Sequence, residues 1–436
     1  MSSCWLSVAF ANRPQALSLP VSTPAQLRSR SCFQYTPGYG SIQGAAAFAA
    51  SNRTPARSAG VQWDCMDLSA FDYHLPAERI AQQPLADRAA SRMLVVFRNQ
   101  NRWEDRRFCE LPEFLHPGDC LVLNDSRVFP ARLFGHRAGV HAHPLGKNNP
   151  KLRENLSGRV EVFLLRPVGG GGKEWEALVR PGRKMRTGER IQFEGGMQAE
   201  ILARGDYGRR RIRFDTVGDP FDEFERIGHV PLPPYIKRSD EPADRERYQT
   251  VFAREKGSVA APTAGLHFTP QILDRCLLRG AEIACVTLHV GLGTFQPLHT
   301  EQVEQGRLHA ERYRICEDDA AKVNAAGRVV AVGTTSVRTL EAAAHARQVP
   351  GLPPAAPALP RGARIAASQG ETEIFIYPGF QFRAVDAMLT NFHLPRTSLL
   401  LLVCAFAGQE LALAAYRHAV AAQYRFYSYG DCMLIV

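Results

Sequence analysis

Three short polar turns hold the residues best placed to do chemistry: "PTAGLHF" at 262–268, "GLGTFQP" at 291–297 and "GTTSVR" at 333–338. Each follows an apolar run that reads as a strand, and in open α/β sheets ligands bind beyond the carboxyl ends of the strands. The first turn carries His267 beside Thr263, Ala264 and Gly265, small residues that let a ligand approach the backbone. His289 stands just before the second. An imidazole titrates near neutral pH and can take and return a proton; a loop histidine hydrogen-bonded for structure is the competing reading. In "GTTSVR" the hydroxyls of Thr334, Thr335 and Ser336 and the first free amides of a helix suit a carboxylate or phosphate. Arg338, one turn in, can clamp an anion or pair on the surface. "GLGTF", with Gly293, Thr294 and Phe295, has only two glycines of a dinucleotide fingerprint, and Gln296 stands where the third belongs. No strand, glycine turn and helix followed by an acid supports a Rossmann cofactor site.

Other candidates lie further out. Tyr235, Lys237 and Arg238 in "PLPPYIKR", with Tyr248, Arg254 and Lys256 downstream, interleave cations with aromatics. That pattern suits a nucleic-acid surface, where phosphates take the charge and unpaired bases take the ring faces; a solvated loop with buried tyrosines fits as well. Asn124, Ser126 and Arg127 form a polar turn that reaches substrate or only braces a joint. Asp431, beside Gly430, holds a turn or binds a polar ligand group. A metal site is not expected. The ten cysteines include no Cys-x-x-Cys pair, and His136, His141 and His143 lie in a polar loop without acid or thiol partners.

The elements that must position these groups follow from composition and period. The 436 residues suffice for two or three domains, and the longest apolar run, within 398–408, is about half a membrane span. No membrane association is expected, and scattered cysteines suit a reducing compartment. The net charge of +10 is unevenly placed: residues 1–65 hold five arginines and one acid, leaving 48 Lys+Arg against 42 Asp+Glu in the rest. The body is therefore only mildly basic, which permits an RNA partner without requiring one. Residues 1–65, with no sustained period, read as an extension ahead of Met66 or as a targeting or disordered arm, and are set aside from the fold.

From Met66 the chain reads as α/β. Strands are expected at "SRMLVVFR", "GDCLVLND", "GSVAAP", "AEIACVTLHV", "GRVVAVG" and "TEIFIYPG", and at the apolar C-terminus. Helices are expected after the Thr269–Pro270 cap, at "SVRTLEAAAHARQ" and at "RTSLLLLVCAFAG". That order predicts parallel βαβ units. Between them, residues 131–228 alternate apolar and polar in short runs broken by glycines, the pattern of a small antiparallel barrel. The expected architecture is an α/β main domain (66–130 and 229–436) with flanking helices on a mixed or parallel sheet, interrupted by an inserted β-barrel domain (131–228). The polar stretch 136–158 and the proline-rich 350–362 read as surface loops.

Nine blocks in order, from "FDYHLPAERIAQQPLADRAASRML" through "LVLNDSRVFPARLFG", "GHVPLPPYIKR", "RYQTVFAREKGSVAAPTAGLHFT", "VTLHVGLGTFQPL", "VVAVGTTSVRTLE", "TEIFIYPG" and "LTNFHLPRTSLLLLVCAF" to "YRFYSYGDCMLI", give the chain a marked resemblance. It resembles the S-adenosylmethionine:tRNA ribosyltransferase-isomerase family of queuosine biosynthesis. The resemblance implies a cytoplasmic enzyme, expected to be monomeric. Such an enzyme moves and rearranges the ribosyl part of S-adenosylmethionine onto 7-aminomethyl-7-deazaguanine at the wobble position of tRNAs for Tyr, His, Asn and Asp. The products are epoxyqueuosine in tRNA, adenine and methionine. S-adenosylmethionine is then a consumed co-substrate, and no permanently bound cofactor or metal is expected.

That reaction needs a base for the proton at ribose C5′ and an acid for departing adenine while the aminomethyl nitrogen attacks C1′. His267 and His289 are expected to line the pocket as its catalytic histidines, His267 being the better acid–base candidate, with His393 of "NFHLP" a third candidate. Thr334, Thr335 and Arg338 are expected to receive the methionine carboxylate, Glu373 or Asp431 its ammonium, and Phe295 and Phe392 to wall the adenine or the deazaguanine. A methyltransferase using the same donor and a noncatalytic RNA-binding protein are the rival readings.

Overall fold

The computed structural model describes residues 67–138, 158–169, 171–205, 208–291, 298, 305–345 and 363–436. Residues 1–65, the loop histidines His141 and His143, the proline-rich 350–362 and the site candidates Gly293, Thr294 and Phe295 lie outside these.

Seventeen strands among the described residues fall into three sheets. In chain order they are β1 (Arg92–Phe97), β2 (Arg102–Arg107), β3 (Asp119–Asn124), β4 (Ser126–Val128), β5 (Arg132–Arg137), β6 (Arg159–Pro167), β7 (Glu174–Arg180), β8 (Arg190–Phe193) and β9 (Gln198–Arg204). They continue with β10 (Arg209–Asp215), β11 (Glu255–Ser258), β12 (Glu282–Leu288), β13 (Arg307–Ile315), β14 (Arg328–Val332), β15 (Ser368–Ile374), β16 (Ala387–Asn391) and β17 (Cys432–Ile435).

The body is a nine-stranded sheet in the order β15-β13-β12-β3-β14-β16-β17-β1-β2. Its centre, β12-β3-β14-β16, is parallel, so these four strands end on one edge. β17 runs antiparallel to β16 with Asn391 opposite Cys432, and β1 follows β17 in parallel. The amino ends of β17 and β1 therefore meet the carboxyl ends of the parallel strands. The sheet is mixed rather than purely parallel, because β13 and β15 pair antiparallel beyond β12. Both faces are buried, and alternate residues of one strand enter opposite cores. Leu94, Val122, Ala331 and Met388 face helices Gly333–His345 and Ser398–Ala407, while Met93, Leu121, Val330 and Leu389 face helix Pro270–Leu278.

β5 to β10 close into a six-stranded antiparallel barrel in the order β10-β7-β6-β5-β8-β9. Inward positions alternate with outward ones, as along β10, where Arg210, Ile212 and Phe214 are buried and Arg211, Arg213 and Asp215 are exposed. The short helix Pro220–Ile227, capped by Asp219, drives Phe224 against Trp175 and Phe214 in the barrel core. The barrel strands lie in sequence between β4 and β11, which pair with each other in parallel. The chain thus leaves and re-enters the body on adjacent strands.

Two expectations shift. "GSVAAP" forms a strand only as far as Ser258, after which residues Thr263–His267 coil into a 3-10 turn. "GTTSVR" is not a separate turn: helix Gly333–His345 starts at Gly333, whose φ of +85 makes the bend out of β14. No single helix among the described residues is long and apolar enough to cross a membrane; Ser398–Ala407 and Gln409–Ala421 are bent by 115° at Gly408.

Candidate active site

A cavity of about 590 Å³, counting its open mouth, lies on the sheet edge where the four parallel strands end. Thr263 and Ala264 of the 3-10 turn, Val290 beyond β12, Gly333, Thr334 and Thr335 at the helix start, and Thr390 to His393 at the end of β16 form its floor. Tyr235, Tyr427 and Ser428 close the far side.

The floor is polar at few, defined points. Thr335 Oγ1 is buried without a partner among the described residues, beside the first amides of a 13-residue helix. A buried hydroxyl left unpaired at a ligand site is a group held ready for an incoming acceptor or donor. His393 is buried, and burial pushes its imidazole down to about 3. Its ring Nε2 lies 2.8 Å from Thr390 Oγ1, and that hydroxyl also reaches the Asn391 carbonyl at 3.3 Å. With the hydroxyl proton given to the carbonyl, Nε2–H donates to Thr390, which leaves Nδ1 as the unprotonated nitrogen. The backbone of His393 is fixed from both sides, its N–H donating to the Tyr416 hydroxyl at 3.2 Å and its carbonyl accepting from the Tyr73 hydroxyl.

The wall is aromatic. The Tyr235 and Tyr427 rings lie 4.0 Å apart between centroids, and the Tyr235 hydroxyl is 2.7 Å from Ser428 Oγ. Tyr427 has φ +73, a left-handed backbone uncommon for a bulky residue. Three backbone contacts hold it there: its N–H donates to Phe392 O, and its carbonyl accepts from Asn391 Nδ2 and Gly430 N.

The sequence-predicted residues divide on this geometry. Thr263, Ala264, Thr334, Thr335 and Phe392 line the cavity, although the Phe392 ring is wholly buried against Tyr416 and Tyr424. His267 lies in an adjoining cleft; its Nδ1 is 2.8 Å from Ser91 Oγ, and burial pushes it down to about 4. His289 packs against Gly257 rather than lining the cavity, and burial pushes it, too, down to about 4. Gly265 is a packing glycine, since a Cβ there would meet Phe252 and Thr250 at 2.7 Å.

Several candidates are committed elsewhere. The Arg338 guanidinium is paired through Nη1 with Glu311 in a buried contact, while its Nη2 is buried without a partner among the described residues. Glu373 is exposed on the edge strand β15, with Arg307 as its ion partner, away from the cavity. Asp431 spends both carboxylate oxygens on the backbone amides of Arg92 and Arg425. Asn124 ties β3 to β12 through the Leu288 carbonyl and amide. Ser126 and Arg127 pair with β11 at the barrel junction. Arg238 is bidentate to Asp244, Tyr248 is fully buried, and Lys237 alone of that segment's three is exposed. Sequence reasoning missed Thr390, Asn391, Tyr427 and Ser428 as site residues. A signal was present for the first two, because "NFHLP" follows a strand just as the other turns do.

The fold and cavity together define a class: a mixed-sheet α/β protein with a ligand site at the carboxyl edge of its parallel strands and a closed barrel inserted in the chain. The chain matches the family described as queuosine biosynthesis protein over residues 68–435. The S-adenosylmethionine:tRNA ribosyltransferase-isomerase of Solibacter usitatus is 70% identical over 371 residues, covering 85% of this chain and 100% of the relative. The protein of the same name from Geobacter metallireducens is 48% identical over 375 residues with the same coverage of each. A crystal structure of S-adenosylmethionine tRNA ribosyltransferase from Thermotoga maritima is 34% identical, covers 84% of this chain and 100% of its own, and superposes with a TM-score of 0.44. The chain belongs to the queuosine biosynthesis protein family.

Proposed function

We propose that this chain is an S-adenosylmethionine:tRNA ribosyltransferase-isomerase. It transfers the ribosyl part of S-adenosylmethionine to the aminomethyl nitrogen of 7-aminomethyl-7-deazaguanine in tRNA and rearranges it to epoxyqueuosine, releasing adenine and methionine. Full-length relatives of that name at 70% and 48% identity support the reading. The observation that carries it on this chain's own residues is the sheet-edge cavity, with a hydroxyl-lined floor, an imidazole and an aromatic wall.

Each part has a task in that reaction. The Thr334–Thr335 end of the helix, with its free amides and the unpaired Thr335 hydroxyl, receives the methionine carboxylate. The Tyr235–Tyr427 wall takes a ring of the substrates; an unstacked base on such a ring gains roughly 1–3 kcal/mol. His393 Nδ1 takes the proton at C5′, which the sulfonium acidifies, and returns one to adenine as its bond to C1′ breaks. S-adenosylmethionine is consumed, and no other cofactor and no metal takes part. The body, 66–130 and 229–436, carries the chemistry, with 131–228 as the inserted barrel. The enzyme acts as a cytoplasmic monomer on tRNAs for Tyr, His, Asn and Asp.

One assay tests this. S-adenosylmethionine is incubated with tRNA carrying the deazaguanine precursor, and free adenine and the modified nucleoside are measured. Equimolar adenine and epoxyqueuosine are expected. S-adenosylhomocysteine in place of adenine would mean a methyltransferase, and an unconsumed donor a binding protein.

A further inference from the structure

Beside the cavity, and sharing Ser428 with it, lies a narrower cleft of about 280 Å³ counting its mouth, lined by Arg88, Ser91, Arg247 and His267 among others. Arg88 donates to the carbonyls of Leu266 at 3.1 Å and Glu246 at 2.8 Å, and Arg247 to that of Leu85. Arg425 stands at the rim, donating to the carbonyl of Gln83, next to the lining residue Pro84. These bonds orient three guanidiniums without neutralising them. Arg238 and Arg245 nearby each reach a carboxylate within 4 Å. Among the described residues Arg88, Arg247 and Arg425 reach none.

Three half-buried cations around one cleft, with no counter-charge in contact, are costly unless a ligand supplies it. Burial and the neighbouring Arg247 charge lower Arg88, and burial lowers Arg425; Glu246 and Asp431 offset this only from a distance. His267, buried in the same cleft wall, is held by Ser91 Oγ at Nδ1 and by the Asn391 side chain, so it adds no charge to the cleft. The remaining groups facing the site, Ser91, Ser428 and Tyr429, are neutral.

We propose that this cleft is an oxyanion site that seats a phosphodiester of the RNA nucleotide whose base enters the adjoining cavity. The assignment rests on the function proposed above for that cavity. Ser428 borders both spaces, and in a nucleotide the phosphate and the base are one sugar apart. The methionine carboxylate is the other oxyanion available, but its α-carbon also bears an ammonium and the sulfonium lies close by. A cleft whose charged lining is wholly cationic repels both, whereas a phosphodiester brings no cation.

The test is binding of an anticodon stem-loop RNA carrying the precursor base, followed by fluorescence anisotropy across a salt series. Arg247→Gln is expected to weaken RNA binding about tenfold and to make the slope of log K against log salt shallower by about one. The S-adenosylmethionine KM and the melting temperature should stay as in the wild type. Arg425→Gln should behave alike. Arg247→Lys, which keeps a point charge, should restore most of the slope. An unchanged salt slope in both Gln variants overturns the proposal, as does a raised S-adenosylmethionine KM with RNA affinity intact, which would give the cleft to the carboxylate. If Lys fails as Gln does and the melting temperature drops, Arg247 is structural and the proposal falls. Adenine release by the wild-type enzyme is read separately, so a failed reaction with an intact salt response is told apart from a failed anion site.

Discussion

At His393 the chemistry depends on a neighbour's proton. Thr390 Oγ1 stands 2.8 Å from His393 Nε2 and 3.3 Å from the Asn391 carbonyl, and when its hydrogen goes to that carbonyl the imidazole keeps its proton on Nε2. Burial keeps the ring neutral far below the ordinary histidine range, down to about 3. His393→Gln is therefore expected to lower kcat by about 10²-fold or more with little change in S-adenosylmethionine KM. The acidic limb of kcat/KM for the wild type should lie below pH 5 rather than near 6.5; a limb at 6.5 would point to another base. Tyr427 offers a second test, because its left-handed backbone costs of order 1–3 kcal/mol. Tyr427→Gly removes the ring and relieves the backbone at once. The expected outcome is a melting temperature that holds or rises, with a KM for S-adenosylmethionine or tRNA raised about tenfold. A fall in melting temperature with unchanged KM would make the ring mere packing.

Among the elements, the connection between β13, helix Gly333–His345 and the end of β12 decides what Arg338 does. Glu311 of β13 accepts from Arg338 with one carboxylate oxygen and from the Gly291 amide with the other, at 2.9 Å. Both partners are buried, with side chains 7% and 5% exposed. Removing one partner of such a pair strands the other charge and costs about 3–5 kcal/mol. Arg338→Ala should lose that much stability in urea unfolding, and a merely raised S-adenosylmethionine KM in a fully stable variant would return Arg338 to the ligand. From sequence alone Arg338 could clamp an anion or pair on the surface, and its buried partner was not legible, because Glu311 lies 27 residues away on a strand that the apolar pattern did not reveal. β13 alternates exposed and charged residues on an outer part of the sheet, so it carries little hydrophobic period. The interior strands β1, β3, β12 and β14 were legible for the opposite reason: buried on both faces, they read as continuous apolar runs. The bend out of β14 into a helix, and the small residues of "PTAGLHF", were legible because strand ends and small residues are local features. Tyr427 and Ser428 were not, since they join the site only through the antiparallel pairing of β17 with β16, and strand order is a long-range property.

Across the whole molecule, three histidines share one electrostatic condition. His267, His289 and His393 are each depressed by burial, the first two to about 4 and the third to about 3, and none has a carboxylate among the causes of its shift. In the folded chain they stay neutral, while in the unfolded chain they are free to charge near 6.5. The unfolded chain thus binds more protons as the pH falls through 6.5, and folding loses stability from there down to the folded values. Above 6.5 the three contribute their full effect. Each fully buried imidazole costs about 1.4 kcal/mol per pH unit inside that window, and the partly exposed His289 less. Burial pushes Asp125, Glu341 and Asp431 upward, so their protonation favours the folded chain and opposes the histidines at the acid end. Between pH 6.5 and 5 the histidines should therefore dominate, and the melting temperature should fall by several degrees over that interval. His393→Gln and His267→Gln should each flatten the fall while lowering stability at pH 7.5. Melting curves of the wild type and both variants at pH 7.5, 6.5 and 5.5 check this, and parallel pH dependences in all three proteins would show that the buried imidazoles do not govern acid stability.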